Sequence, residues 1–321
     1  METFLMYALF ILGILFIVKG GDFFVEAATW IAEVSGIPHF VVGATIVSLA
    51  TTLPEIIVSV IAASHGNVPM ATGNAVGSVT ANTGLIMGLS LLMLPTVISR
   101  KKFMPKATML IAAVAILWLC SLGGDLTIYG CIAMFIIFAV FLYENIREAK
   151  IEMKSQNEKE DKPSHDKTTI IKNISLFILG AAAIVIGSQL LVDKGSEIAL
   201  SFHIDPRIIS ITAIAIGTSL PELVTTITAI SKKQSSLSVG NIIGANIIDT
   251  TLILPLCSLI TGGSLPVSKG TVCVDMPVCL IIILVTLIPT LITKKLSRWQ
   301  GISALVIYLS YIIYICVFSV F

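Results

Sequence analysis

The sequence predicts an all-α polytopic membrane protein, with about ten transmembrane helices in two inverted-topology repeats of five. Composition, ten long apolar runs and an internal repeat point to it. Of 321 residues, 56% are apolar and only 12% charged, about half the charged share of a soluble domain. Mean hydropathy is +0.99. A bilayer core takes roughly 20 apolar residues per crossing helix.

In chain order the ten runs cover residues 3–33, 38–65, 69–96, 103–121, 125–147, 170–201, 206–231, 236–262, 271–292 and 298–320. The first lacks the basic n-region and small-residue cleavage site of a signal peptide and is read as a retained helix. The first and sixth runs are long, with amphipathic second halves from Asp22 to Glu33 and from Asp193 to Ser201. Gly20-Gly21 and Gly187 are candidate bend points within them. The stretch between the fifth and sixth runs is charged, holds Pro163 and has no apolar periodicity, as expected of a linker. The chain thus divides into a first five-helix repeat (1–146), a charged linker (147–168) and a second five-helix repeat (169–321).

Basic residues orient this array. With the N-terminus outside, sixteen Lys and Arg fall on inside loops, while the outside loops hold only Arg207 and Lys269. That is the asymmetry of the positive-inside rule; it places both termini outside and the linker in the cytoplasm. Lys19 and Lys194 lie within the long helices and read as snorkelling or helix-end residues.

A shift of 167 residues superposes the halves. Val47 to Glu55 reads VSLATTLPE and Ile214 to Glu222 reads IAIGTSLPE; Gly73 to Met87 reads GNAVGSVTANTGLIM and Gly240 to Leu254 reads GNIIGANIIDTTLIL. Five spans per repeat is an odd number, so the second repeat enters the membrane from the opposite side. Secondary transporters use this architecture, with sites near the midplane on interrupted helices.

The matched blocks place acids at bilayer depth. Glu55 and Glu222 each follow a proline inside an apolar run. A charge there costs several kcal/mol, and Pro54 and Pro221 leave carbonyls one turn earlier without their usual donor. Such carbonyls need an ion or water. With the hydroxyls of Thr51, Thr52, Thr218 and Ser219 they form a hard-oxygen environment suited to Ca²⁺, which takes 6–8 oxygen ligands, and to Na⁺. The second block adds Asn82 and Asp249 at equivalent positions, with Ser78 and Ala245 four residues earlier on the same helix face. Gly77 and Gly244 permit close helix approach. Neither Lys19 nor Lys194 has a lysine counterpart in the other repeat, so three carboxyls are left needing a divalent ion, several Na⁺ or protons.

Other classes fall away. The six cysteines form no CxxC pair and read as apolar packing residues; the four histidines have no ligand spacing. No Ser–His or Cys–His pairing, HExxH or P-loop is present, so no enzyme is expected and no cofactor. A net charge of +1 without a basic, aromatic-rich patch gives no sign of nucleic acid. A passive channel needs weak multi-site binding, which a buried acidic pair does not suit.

The chain resembles the sodium/calcium exchanger family of the calcium/cation antiporter superfamily over nearly its whole length. GTSLPE at Gly217 to Glu222 is the most specific match, and SLATTLPE at Ser48 to Glu55 a looser copy. The resemblance implies Glu55 and Glu222 as shared Ca²⁺ and Na⁺ ligands, with backbone carbonyls of Thr51 and Thr218 for Ca²⁺. It implies Na⁺ contacts from the carbonyls of Ser48 and Ala215 and the hydroxyls of Thr52, Ser78 and Ser219, with Asn82 and Asp249 lining the middle. It also implies alternating access by sliding of the first and sixth helices. Ala50 and Thr52 depart from the first GTS motif, and Ala245 replaces an expected serine, removing one Na⁺ hydroxyl; Asn246 could replace it only if the backbone turned. The short linker leaves no room for a Ca²⁺-sensing domain. The expected function is Na⁺/Ca²⁺ antiport in the bilayer of a prokaryotic cytoplasmic membrane, with no obligate protein partner; Ca²⁺/H⁺ exchange is the alternative, since the same carboxyls can carry protons.

Overall fold

The computed structural model describes residues 2–97, 99–157, 167–202, 217 and 219–318. Their helices are α1 (Glu2–Ser35), α2 (His39–Thr51), α3 (Leu53–Ser64), α4 (Val68–Met93), α5 (Arg100–Ser121) and α6 (Ile128–Asn157) in the first half. The second half holds α7 (Lys167–Ser201), α8 (Leu220–Ser231), α9 (Ser235–Ile260), α10 (Thr271–Thr293) and α11 (Arg298–Phe318). Among the described residues, eight helices are long and apolar enough to cross a membrane, and the pair α2–α3, bent by 44°, makes a ninth. The expected seventh span, 206–231, is described only at residue 217 and from residue 219 onward, where α8 begins.

Local chemistry sets the breaks. Pro54 and Pro221 occupy the first turn of α3 and α8, where a missing N–H costs nothing. Wider π turns interrupt α2 at Gly43–Val47, α4 at Asn82–Met87, α9 at Asp249–Ile253 and α10 at Thr271–Asp275. Two of them start at Asn82 and Asp249, 167 residues apart. Such turns release backbone groups and recur at functional sites.

The candidate bend points Gly20-Gly21 and Gly187 do not break their helices: α1 and α7 are continuous. Gly20 and Gly187, with Gly13 and Gly180, instead bring these helices together. A Cβ at Gly187 would lie 2.8 Å from the Gly13 carbonyl oxygen, and one at Gly20 would lie 2.9 Å from that of Gly180. Small residues permit this approach, and the two contacts run antiparallel. The helix of the fifth run also continues through Asn157, eleven residues into the segment expected as linker. Two pairs to α5 hold that extension, Lys102–Glu152 at 2.7 Å and Lys106–Glu148 at 2.6 Å. Residues 158–166 lie outside the described residues.

Four two-residue strands depart from the all-α expectation. β1 (Thr96–Val97) pairs with β4 (Lys295–Leu296), and β2 (Asp125–Leu126) with β3 (Leu265–Pro266), both antiparallel and each joining one half of the chain to the other. The core sits around α4 and α9, whose apolar windows are 72% and 83% buried, against 22% for α1, α7 and α11. Gly43 and Gly240 let α2 and α9 touch: a Cβ at Gly240 would stand 2.2 Å from the Phe40 carbonyl oxygen.

Left-handed residues close two pairs of matched turns. Gly66 (φ 76°) follows α3 and Lys233 (φ 60°) follows α8; Gly124 (φ 90°) precedes β2 and Lys294 (φ 58°) precedes β4.

Candidate cation site

Glu55 lies in the first turn of α3 and Glu222 in the first turn of α8, where helix dipoles favour anions. Asp249 opens the π turn of α9. All three are buried, with Glu55 and Glu222 at 1% exposure and Asp249 at 0%. Glu55 lies within electrostatic reach of Glu222 and Asp249, and Asp249 of Glu222. The structure therefore brings together acids from both halves of the chain.

Their oxygens are short of donors. Among the described residues, both carboxylate oxygens of Glu55, both of Asp249 and Oε2 of Glu222 have no hydrogen-bond partner. The same is true of the Ser78 and Ser219 hydroxyls and of Asn82 Oδ1. Among the described residues no ion pair reaches any of the three acids: Lys194 pairs with Glu197, Lys106 with Glu148, and Lys19 is exposed. An uncompensated buried carboxylate is costly, so these groups need cations or protons.

The flanking hydroxyls face the same place. Thr52 and Ser219 stand at the N-caps of α3 and α8, yet neither side chain caps its helix. Thr52 Oγ1 instead donates to Glu222 Oε1 at 3.4 Å, crossing between the halves. The Ser48 carbonyl accepts from the Thr52 N–H at 2.9 Å and from the Thr51 hydroxyl at 3.3 Å. Ser48, Thr51 and Thr52 are all buried. Thr218 and Ala215 lie outside the described residues.

Two residues of the repeated blocks carry positioning roles that the sequence reading did not assign. Asn74 Nδ2 donates to Ser59 Oγ at 2.9 Å and to the Glu55 carbonyl at 3.4 Å. Asn241 Nδ2 donates to Thr225 Oγ1 at 3.0 Å, and its Oδ1 accepts from Thr51 Oγ1 at 3.2 Å. Each asparagine ties its helix to the one bearing the nearby glutamate, and Asn241 also reaches the opposite half. Their signal was the Gly-Asn shared by both blocks. Asn246 does not turn into the place of the missing serine; its Nδ2 donates to Thr83 Oγ1 at 2.7 Å.

No three His, Cys, Asp or Glu side chains among the described residues converge as a metal-ion group. An ion taking six to eight oxygens would draw the remainder of its shell from hydroxyls and carbonyls of the broken helices.

Comparison with known proteins gives the family. The model of the family described as sodium/calcium exchanger protein matches residues 5–147 and 172–317. The chain belongs to the sodium/calcium exchanger protein family. It is 28% identical to the sodium/calcium exchanger MaX1 of Methanosarcina acetivorans over 96% of this chain and 97% of that protein. It is 32% identical to the inner membrane protein YrbG of Escherichia coli, over 80% and 81% of the two chains. Its fold matches the sodium-calcium exchanger NCX_Mj soaked with 10 mM Na⁺ and zero Ca²⁺, at a TM-score of 0.82, 30% identity and 98% coverage of both chains. NCX_Mj soaked with 2.5 mM Na⁺ and 10 mM Sr²⁺ matches at a TM-score of 0.81 and 29% identity. This family member is thus a multi-pass membrane transporter and not an enzyme.

Proposed function

We propose that the chain exchanges Na⁺ for Ca²⁺ by alternating access at the site formed by Glu55, Glu222, Asp249 and Asn82. The observation that carries this reading is the set of buried carboxylates from both halves that, among the described residues, have no lysine partner and together only one donor, Thr52 to Glu222. Ca²⁺ is held by Glu55 and Glu222 with the carbonyls of Thr51 and Thr218. Na⁺ is held by the same two glutamates with the hydroxyls of Thr52, Ser78 and Ser219 and the carbonyls of Ser48 and Ala215. The exchange follows from shared ligands: cations of one kind must leave before the other can neutralise the same acids.

The halves act as inverted-topology repeats, 1–146 and 169–321, joined by 147–168 on the cytoplasmic side, with both termini outside. Several matched pairs support this: the π turns at Asn82 and Asp249, the two strand ladders, and the crossings Gly13–Gly187 and Gly20–Gly180. The left-handed turns support the orientation. A lysine at such φ costs about 1 kcal/mol more than glycine, yet Lys233 and Lys294 take it where Gly66 and Gly124 serve the matched turns. Both lysines fall on the side that the positive-inside rule makes cytoplasmic.

The test is ⁴⁵Ca²⁺ uptake by purified protein in liposomes loaded with Na⁺, with choline-loaded liposomes as control. Uptake only with an outward Na⁺ gradient is expected. Ala245, which offers no hydroxyl, favours one second reading, Ca²⁺/H⁺ exchange, and uptake driven by a pH gradient in choline would establish it instead.

A further inference from the structure

The two long helices do not approach the two halves equally. Gly21 of α1 lies against α8, where an added Cβ would stand 2.8 Å from Thr228 Oγ1 and 3.0 Å from Val224 Cγ1. Lys232, the C-cap of α8, fastens that end. Its ammonium donates to the Asp22 carbonyl at 2.9 Å, and stands 3.8 Å from Asp22 Oδ1 and 3.5 Å from Glu26 Oε2.

The 167-residue shift carries Gly21, Asp22, Glu26 and Lys232 onto Ser188, Gln189, Asp193 and His65. The cap backbones match, with φ −87° and ψ 9° at Lys232 and φ −89° and ψ 8° at His65. The packing does not. Ser188, Gln189 and Asp193 of α7 line a cavity of about 250 Å³ that reaches Pro54 and Pro221, the residues preceding the two site glutamates. Among the described residues no ion pair joins His65 to Asp193. One mouth is open as far as the prolines that precede the site glutamates, and the equivalent mouth is covered by α1.

We propose that Lys232 is the latch of the covered mouth. It holds α1 against α8, and its ammonium occupies the two carboxylates that would otherwise receive an arriving cation. When α1 moves, Asp22 and Glu26 are released to face the opening mouth, as Gln189 and Asp193 face the open one. The residues involved are partly exposed, and exposed ion pairs are weak, which suits a contact that must break in every cycle. This inference rests on the alternating-access reading above.

The test reads accessibility, not transport. In the full chain with the exposed Cys273 and Cys316 changed to serine, Thr228→Cys reports whether α1 covers α8. Labelling by a membrane-impermeant maleimide from the cytoplasmic face of vesicles should rise at least threefold when Lys232→Met is added. The pair Asp22→Asn and Glu26→Gln should raise it likewise, and Lys232→Arg should leave it at the parent rate. The two routes remove opposite partners, so misfolding of one leaves the other as the test. Unchanged labelling in a folded variant overturns the latch, as does an equal rise with Lys232→Arg. Absence of Ca²⁺ exchange by the parent would defeat the exchanger reading alone, because labelling does not depend on transport.

Discussion

The Thr52 hydroxyl donates to the Glu222 carboxylate at 3.4 Å, linking the bend of one half to the acid of the other. This long hydrogen bond to a carboxylate contributes about 1 kcal/mol. Thr52→Val keeps the shape and removes the donor, which is also a proposed Na⁺ ligand. Half-saturation for Na⁺ should rise about fivefold, with the fold unchanged by circular dichroism. Exchange assays across a Na⁺ series check it; an unchanged Na⁺ dependence would remove Thr52 from the site.

Glu55→Gln and Glu222→Gln should each abolish exchange without unfolding the protein. Each removes the charge of a buried carboxylate with unsatisfied oxygen, both atoms of Glu55 and Oε2 of Glu222, and the amide oxygen in Glu222→Gln can still accept from Thr52, so ion-free stability should not fall. What disappears is stabilisation by ligand. An ion at 100 times its Kd adds about 2.7 kcal/mol to the native state, and the rise in Tm on adding Ca²⁺ should vanish in both variants. Asn82→Ala should be milder, because it removes a neutral oxygen.

Lys106 is 0% exposed, pairs with Glu148 at 2.6 Å and lies 5.4 Å from the centre of the Phe40 ring. Lys106→Met leaves Glu148 unpaired. Breaking a fully buried pair costs 3–5 kcal/mol; with Glu148 at 17% exposure the loss should be about 2 kcal/mol. The double variant Lys106→Met, Glu148→Leu should recover most of the loss in Tm. Failure to recover would mean that Lys106 acts through its aliphatic packing.

Much of this was legible in sequence because the bilayer is a severe solvent. Charges at apolar depth are rare, so Glu55, Glu222 and Asp249 stood out, and the 167-residue repeat matched them. Contacts between distant segments were not legible. Gly20 and Gly187 read as bends because their partners, Gly180 and Gly13, lie in the other long helix. The helix through Asn157 read as linker because its support comes from Lys102 and Lys106 across an interhelical gap. Asn74 and Asn241 were visible as a repeated motif, but their roles depend on which hydroxyls face them.

Ala245 occupies a fully buried position in α9, four residues after Asn241. Ala245→Ser adds a hydroxyl that can donate to the Asn241 carbonyl within the helix while offering a lone pair to the site. Coupling to Na⁺ should strengthen, with a steeper Na⁺ dependence of Ca²⁺ uptake and a lower half-saturation. An unchanged slope would mean that the face bearing Ala245 does not contact a Na⁺.

The α1–α7 crossing can be tested at one of its backbone contacts. Gly187→Val places a branched side chain where even a Cβ would lie 2.8 Å from the Gly13 carbonyl oxygen and 2.9 Å from Ile17 Cγ1. Backbone cannot yield as a side-chain tip can, so the helices must separate, at a cost of about 1–3 kcal/mol. Gly123→Ala, where an added Cβ meets nothing within 4 Å, is the control. Tm should fall for Gly187→Val and not for Gly123→Ala, and the exchange rate should fall with it if α1 and α7 move as one body. A lowered Tm with full exchange would mean that the crossing serves stability and that the two helices move independently.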